Sequence, residues 1–370
     1  MIRLPTASNI NGDTMKRRKI LILGASYGSL LGIKLAAAGH DVTLICLPNE
    51  VEAINASGTI VRMPVKGQNG LVEINSRDLA GSLGAAGPAE VVPANFDIVA
   101  LAMQEPQYRV PAIKALMSEI GKARVPVMSI MNMPPLTFLK RIPGVDDAKL
   151  RHCYADPNVW DLLDPQQITL CSPDPQAFRP PTEPINVLQV RLPTNFKAAC
   201  FTWPADNALL DELADGISAY RHRVGTDVID LPVKLRVHDS IFVPLAKWSM
   251  LLAGNYRCVE PDRVVSIRTA VHTDLAQSRR IYEDVQQVCI ALGAAPDDLV
   301  PFDKYAAAAE MLESPSSVAR ALAAGATAVE RVDLLVQALA EHVGRPSADI
   351  SRTVANVDGW IARNRTAAAG

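Results

Sequence analysis

Gly24-Ala25-Ser26-Tyr27-Gly28-Ser29 lies between an apolar run and a helical pattern, where a chain of small residues can do phosphate chemistry. In the common dinucleotide fingerprint one glycine makes the tight turn, a second lets backbone approach pyrophosphate, and a third packs helix on strand. Here the literal pattern is G-x-S-x-x-S, and glycine recurs instead at 24, 28 and 32. Small residues still permit close approach, and a helix N-terminus still offers N–H groups to an anion. Gly24, Ala25, Ser26, Tyr27, Gly28 and Ser29 are therefore expected to hold the phosphates of NAD or NADP. The alternative is a strand–helix turn that no longer binds a dinucleotide. The second strand ends Cys46-Leu47-Pro48-Asn49-Glu50. Neither an acid for a ribose 2′-OH nor an arginine for a 2′-phosphate stands at the expected place. Asn49 suits either ribose, and Glu50 turned inward would favour NAD, so the choice of cofactor stays open.

Three further stretches carry acid–base residue types. His238, in "RVHDSIFVPLAKW", titrates near neutrality and is a natural acid–base group, unless His238-Asp239 only caps a helix. Lys247 stands in the otherwise apolar "PLAKWSML". A lysine there calls for an acidic or substrate partner, or lies at the rim with its stem on Trp248. Asn255, eight residues on, shares its helix face, so the two can serve one cleft. Glu330 and Asp333 lie three apart in "AAGATAVERVDLL", read as a helix, and so share a face. The alternative is a solvated glutamate beside Arg331. His152 and His272 have no ligand-spaced partners, so no metal site is expected.

The composition bounds the rest. The 370 residues are 49% apolar with a formal charge of −2, which suits two domains and offers no basic footprint for nucleic acid or a membrane surface. The only basic run, Lys16 to Lys19, reads as a solvated strand edge. Six scattered cysteines form no CxxC pair and read as reduced core residues, so a cytoplasmic location is expected. No signal-peptide pattern is found, and no apolar run reaches the roughly 18 residues of a membrane span. A soluble chain is expected.

Elements that position these residues follow from periodicity. Residues 1–16 form an unpatterned polar tail. Lys19–Leu23, a helix over 29–38 and a strand over 41–46 make a β-α-β unit. Irregular β structure covers 58–76, with turns at Lys66-Gly67 and Asn69-Gly70. Strands at 96–103 and 125–132 flank a helix at 110–120, whereas 156–193 reads as loops with one strand at 186–192. A helix covers 207–221, and after about 234 strand signals disappear. The fold class is α/β: a Rossmann-type doubly wound parallel sheet over 17–232, then a mostly helical substrate and dimerisation domain over 233–370.

Taken in order, LGASYGSLLGIKLAAAGHDVTL, FDIVALAMQ, VMSIMNMPP, AKWSMLLAGN, RRIYEDVQQVCIALG and SPSSVARALAAGATAVERVD together resemble the ketopantoate reductase family. That family is an NADPH-dependent group in the 6-phosphogluconate-dehydrogenase-like superfamily. The resemblance covers most of the chain except about 150–230. It implies that hydride passes from nicotinamide to the carbonyl of a small 2-oxo-acid-like substrate in a cleft between the domains. It implies roles for Glu330 as substrate-hydroxyl or acid–base group and for Ser316 or Ser317 on the substrate carboxylate. Asn132 would orient nicotinamide or substrate, and a homodimer is expected. Departures are equally specific. Gln104 stands where a lysine usually follows, Met133 replaces a glycine, and one extra residue precedes Glu330. Aligned on Trp248, Met250 takes the catalytic lysine's place and Gly254 the asparagine's, with Lys247 and Asn255 nearby. Two alternatives stay open. An opine-type dehydrogenase acting on an imine would use His238. A Rossmann-like protein that has lost hydride transfer would do redox-neutral chemistry or bind a ligand.

Overall fold

The computed structural model describes residues 16–369, so the tail expected over 1–16 lies, but for Lys16, outside the described residues. The chain forms two compact units. Of the described residues, one comprises 16–103, 110–131 and 161–241; the other comprises 104–109, 132–160 and 242–369. These units cut the chain differently from a single division at 232/233, because two stretches that follow sheet strands, 104–109 and 132–160, pack with the helices.

Among the described residues the first unit has fourteen strands: β1 Lys19–Leu23, β2 Asp41–Ile45, β3 Ile60–Pro64, β4 Leu71–Asn75, β5 Ser82–Ala86, β6 Ile98–Leu101, β7 Val127–Ile130, β8 Ile168–Ser172, β9 Gln176–Phe178, β10 Val187–Leu192, β11 Phe196–Ala199, β12 His222–Val224, β13 Asp227–Ile229 and β14 Leu235–His238. Its main sheet runs β5-β2-β1-β6-β7-β8-β11-β14. Within that sheet only the β8–β11 pair is antiparallel. The first six positions follow the doubly wound order, whose chain reversal lies between β1 and β6. Strands β1, β6 and β7 are apolar runs because helices cover both faces of a parallel sheet.

Seven strands have no counterpart in the sequence reading: β5, β8, β9 and β11 to β14. Ile-Thr-Leu-Cys-Ser of β8 is buried at every position, but its five residues are bracketed by Pro- and Asp-rich loop signals. β11 and β14, four residues each, have short patterns of the same kind, so strand structure continues past Lys234. A second sheet, β4-β3-β10-β9, covers the irregular region, and Gly67 and Gly70 turn the β3–β4 hairpin with φ of 85° and 82°.

The second unit is helical. Leu275–Ala291 buries Ile281, Tyr282, Val285 and Val288, and Val332–His342 buries Val332, Leu335, Val336 and Leu339, the i, i+3, i+4 stripes the sequence implied. A rod at 247–258 changes pitch as it runs: α-helical over Lys247–Met250, π-helical over Leu251–Asn255, then 3₁₀ over Tyr256–Cys258. Among the described residues no helix is long and apolar enough to cross a membrane, and no group of three side chains is arranged to hold a metal. All six cysteines are free.

Candidate functional site

The turn after β1 has the geometry of a phosphate cradle. Gly24 adopts φ +106°, a conformation that L side chains rarely take, and a Cβ there would lie 2.7 Å from the Ala102 carbonyl oxygen. A Cβ on Gly28 would meet Ile22 Cγ2 at 2.9 Å and one on Gly32 would meet Leu83 Cδ1 at 2.9 Å. The two later glycines thus let helix Tyr27–Ala37 lie directly on the sheet, which is the third glycine's task in the common fingerprint. Ser26, at the head of the helix, is exposed and makes no capping bond with its side chain. The first N–H groups of a helix have no partner one turn earlier, so this accessible end offers donors to an anion. Ser29 is different: its buried hydroxyl donates to the Ala25 carbonyl at 2.6 Å. It contributes packing and a backbone position, not a side-chain donor. The residues present therefore fit a dinucleotide's pyrophosphate.

Asn49 is exposed in the first turn of helix Pro48–Ser57. Glu50 is buried, and its carboxylate accepts the Leu47 N–H at 2.9 Å and pairs with Arg179. It is engaged in closing the helix start.

The chemistry-bearing cluster lies in the second unit and centres on Glu330. This residue is not on a helix. Helix Ser317–Ala323 ends at Gly325, whose φ is +90°, and the next begins at Val332. Glu330 sits in the extended link between them, so the expected shared face with Asp333 is absent. Asp333 is buried and paired with Arg331 at 3.0 Å, and Arg331 also reaches Asp358 at 2.6 Å. Tyr256 fixes the link from the other side. Its hydroxyl donates to the Glu330 carbonyl at 2.6 Å and accepts the Val332 N–H at 3.1 Å.

The Glu330 carboxyl points into a buried polar pocket. Its Oε1 accepts the Glu105 N–H at 3.3 Å. Burial pushes it up to about 7; the N–H of Glu105, the Asn132 side chain and the Lys247 charge pull it down, while the charge of Glu105 raises it. Glu105 is buried too, with its carboxylate on the Ala155 N–H at 3.1 and 3.2 Å, and burial likewise pushes it up to about 7. It also borders a cavity of about 450 Å³ lined by Arg109, His152, Arg331 and Arg365. The Asn132 carbonyl accepts the Trp248 indole N–H at 3.3 Å, and its side-chain Oδ1 is buried without a partner. Lys247 is half-buried at the start of the rod. A carboxyl that titrates near neutrality, beside a cation and an amide with an unfilled acceptor, can exchange a proton with a hydroxyl or carbonyl.

The other expected site residues fall elsewhere. Asn255 ends the π-helical turn, and its carbonyl accepts the Ser316 hydroxyl at 2.6 Å. Ser316 is buried as the cap of helix Ser317–Ala323, receiving the Ala319 N–H at 3.2 Å, while Ser317 is exposed. Gln104 is exposed beside Glu105, with its N–H bonded to the Gln107 side chain at 2.8 Å. His238 closes strand β14 instead of heading a helix, and Asp239 caps none. The reason is the sheet: Leu235-Arg236-Val237-His238 pairs in parallel with β11. Glu105 and Tyr256 were not foreseen. Glu105 had a signal, an acid just past the carboxyl end of a parallel strand, where open α/β sheets bind their ligands.

Comparison with known proteins gives three findings. Residues 20–132 match the family model described as ketopantoate reductase PanE/ApbA. No curated protein matches. Solved structures share the fold. A ternary complex of D-mandelate dehydrogenase with NADH and anilino(oxo)acetate is 14% identical, with a TM-score of 0.62 over 94% of this chain and 99% of that one. A PanE/ApbA family ketopantoate reductase from Ralstonia eutropha is 18% identical, with a TM-score of 0.59 over 94% and 99%. A dimeric ketopantoate reductase from Staphylococcus aureus is 10% identical, with a TM-score of 0.54 over 94% and 99%.

Proposed function

We propose that this chain, a divergent ketopantoate reductase-like protein by the match of residues 20–132, is an NAD(P)H-dependent oxidoreductase that reduces the carbonyl of a small 2-oxo-acid-like substrate. The observation that carries the reading is the buried Glu330 carboxyl, pushed up to about 7 beside Asn132 and Lys247, in a chain that also holds a fitted phosphate turn. The D-mandelate dehydrogenase relative, solved with NADH and an oxoacetate, agrees in substrate class.

A bound nicotinamide supplies the hydride for the carbonyl carbon. The chain's residues do the rest. Lys247 places positive charge near the carbonyl oxygen as it gains electron density. Glu330, half protonated near neutral pH, delivers the proton that turns this oxygen into a hydroxyl. Asn132 offers its unfilled Oδ1 to a substrate donor and so fixes orientation. Gly24 to Ser29 hold the pyrophosphate. The homodimer belongs to the same proposal, supported by the relative described as dimeric.

The test begins with unfolding in separate samples containing NADPH or NADH. A ligand at 100 times its dissociation constant adds about 2.7 kcal/mol of stability. A shift with either supports the reading, and a panel of 2-oxo acids is then screened for NAD(P)H oxidation. No shift with either cofactor overturns it.

A further inference from the structure

We infer that the cavity beside the link carrying Glu330 is a second ligand site, which takes a small organic anion with an apolar body. Every residue lining it belongs to the second unit, so it is independent of the dinucleotide reading. Segments far apart in the chain build it. Asp358, Ile361, Ala362 and Arg365 are spaced i, i+3, i+4 and i+7, and so share one face of helix Ala348–Ala369. Ala328, Val329 and Arg331 come from the link, and Glu105 and Arg109 from the 3₁₀ turn Glu105–Arg109 that follows β6. Side chains alternate along an extended segment. Val329 and Arg331 accordingly line the cavity, and Glu330 between them does not. Glu105 joins the two places: its N–H donates to the Glu330 carboxylate, and it also borders the cavity.

The wall has the two parts that such a ligand requires. Ala328, Val329, Leu334 and Ile361 give it an apolar side. Its volume of about 450 Å³ falls within the roughly 300–1,000 Å³ of small-molecule sites. The cations differ in whether their charge is already matched. Arg331 is held by Asp333 and Asp358. Arg109 and Arg365 are exposed, and among the described residues neither has a carboxylate within ion-pair distance. Arg365 gives its Nε to the Thr327 carbonyl at 3.2 Å. A guanidinium carries five N–H groups in a planar fork that matches a carboxylate, so both arginines keep donors for a ligand. Two carboxyls border the same space. Asp358 is paired with Arg331, and burial pushes Glu105 toward its neutral form, in which it does not repel an anion. The wall thus carries a surplus of positive charge. An anion compensates that surplus, a neutral molecule leaves it and a cation adds to it.

The probe is phenylbutyrate, a carboxylate on an apolar body with no oxo group to be reduced. Phenylbutanol is its neutral counterpart. Binding to the full chain without cofactor is measured by calorimetry in wild type, Arg109→Gln and Arg365→Gln, with a thermal melt of each protein as a check on folding. Hydrogen exchange of wild type with and without phenylbutyrate locates the site. Wild type is expected to bind phenylbutyrate saturably and phenylbutanol about 10-fold more weakly or worse. The variants are expected to bind phenylbutyrate on the order of 10–100-fold more weakly, as for a lost charge-assisted bond, and a loss in either one supports the inference. Protection is expected over 326–331 and 358–365. No saturable binding overturns the inference. So does equal binding of the alcohol, unchanged affinity in both variants, or protection confined to other segments. The exchange pattern decides if the variants fail to fold. Cofactor binding is read by its own thermal shift, so each reading can fail alone.

Discussion

Replacing Glu330 by Gln removes a titrating group and leaves its shape. Gln keeps an oxygen for the Glu105 N–H, and its new N–H₂ can donate to the vacant Asn132 Oδ1 once that amide turns over. The carboxyl rises from its ordinary 4.5 to about 7 in the folded chain, chiefly through burial. The folded state therefore holds a proton that the unfolded state has lost between these two values. Stability must fall as pH rises through that window and level off above it. At 1.36 kcal/mol per pKa unit, the loss attached to Glu330 is about 3 kcal/mol. Any pH-independent cost of the substitution cancels when the same comparison is made at two pH values. Urea unfolding of wild type and Glu330→Gln at pH 4.5 and pH 8 should thus show the variant gaining about 3 kcal/mol on wild type between them. Glu105 titrates in the same range and remains in both proteins, so a shallower decline persists in the variant. Parallel curves for the two proteins would refute the claim that Glu330 is buried and neutral at low pH. Turnover, where the proposed chemistry holds, should drop by on the order of 10²–10⁴-fold in the same variant.

Lys247→Ala should cut turnover by on the order of 10²–10⁴-fold, and, because the lysine charge pulls the Glu330 carboxyl down, should move the midpoint of the pH–rate profile upward. Unchanged turnover would remove Lys247 from the chemistry. Gly24→Ala forces a Cβ to within 2.7 Å of the Ala102 carbonyl at φ +106°, so it should cost more than about 1 kcal/mol in unfolding and abolish the cofactor-induced thermal shift. Retained cofactor shifts would mean that the turn is not the phosphate site. Gly254→Asn, which restores the residue that the family resemblance leads one to expect, should destabilise the chain rather than improve it. Its Cβ would lie 1.9 Å from the Tyr305 hydroxyl oxygen, and Tyr305→Phe in the same chain should recover part of the loss. A Gly254→Asn variant as stable as wild type would refute this packing.

What the sequence made legible tracks how local the cause is. The β-α-β opening and the stripes of Leu275–Ala291 and Val332–His342 are periodic over one element, so pattern alone locates them. β8, β11 and β14 are four or five residues long and owe their strand state to neighbours in the sheet, which no local window contains. The site divides in the same way. The small residues of the turn after β1 are contiguous, so their pattern is visible in the sequence. Glu330 was singled out, but its helix was not real, because Gly325 and the link to Val332 break a run that Ala-rich composition favours. Glu105 acts through contacts with residues far away in the chain, and only folding brings it there.

The substitution of the family's lysine position by Met250 is most simply judged by counting protons. Reducing a carbonyl to an alcohol needs one hydride and one proton, and the proton donor must be protonated at working pH. A lysine meets that need with its ordinary pKa. A carboxylic acid meets it only if its surroundings hold the proton to neutrality, and burial of Glu330 and Glu105 does so. The stretch Leu251–Asn255 of the rod is π-helical, a turn that takes in more residues than an α-helical one. It lies downstream of Trp248 and so cannot return a lysine to position 250. Lys247, on the near side of Trp248, acts on the Glu330 carboxyl by its charge. Under the proposed function Lys247 remains as the cation and Glu330, its carboxyl held toward neutrality by burial, takes the place of the lysine as proton source.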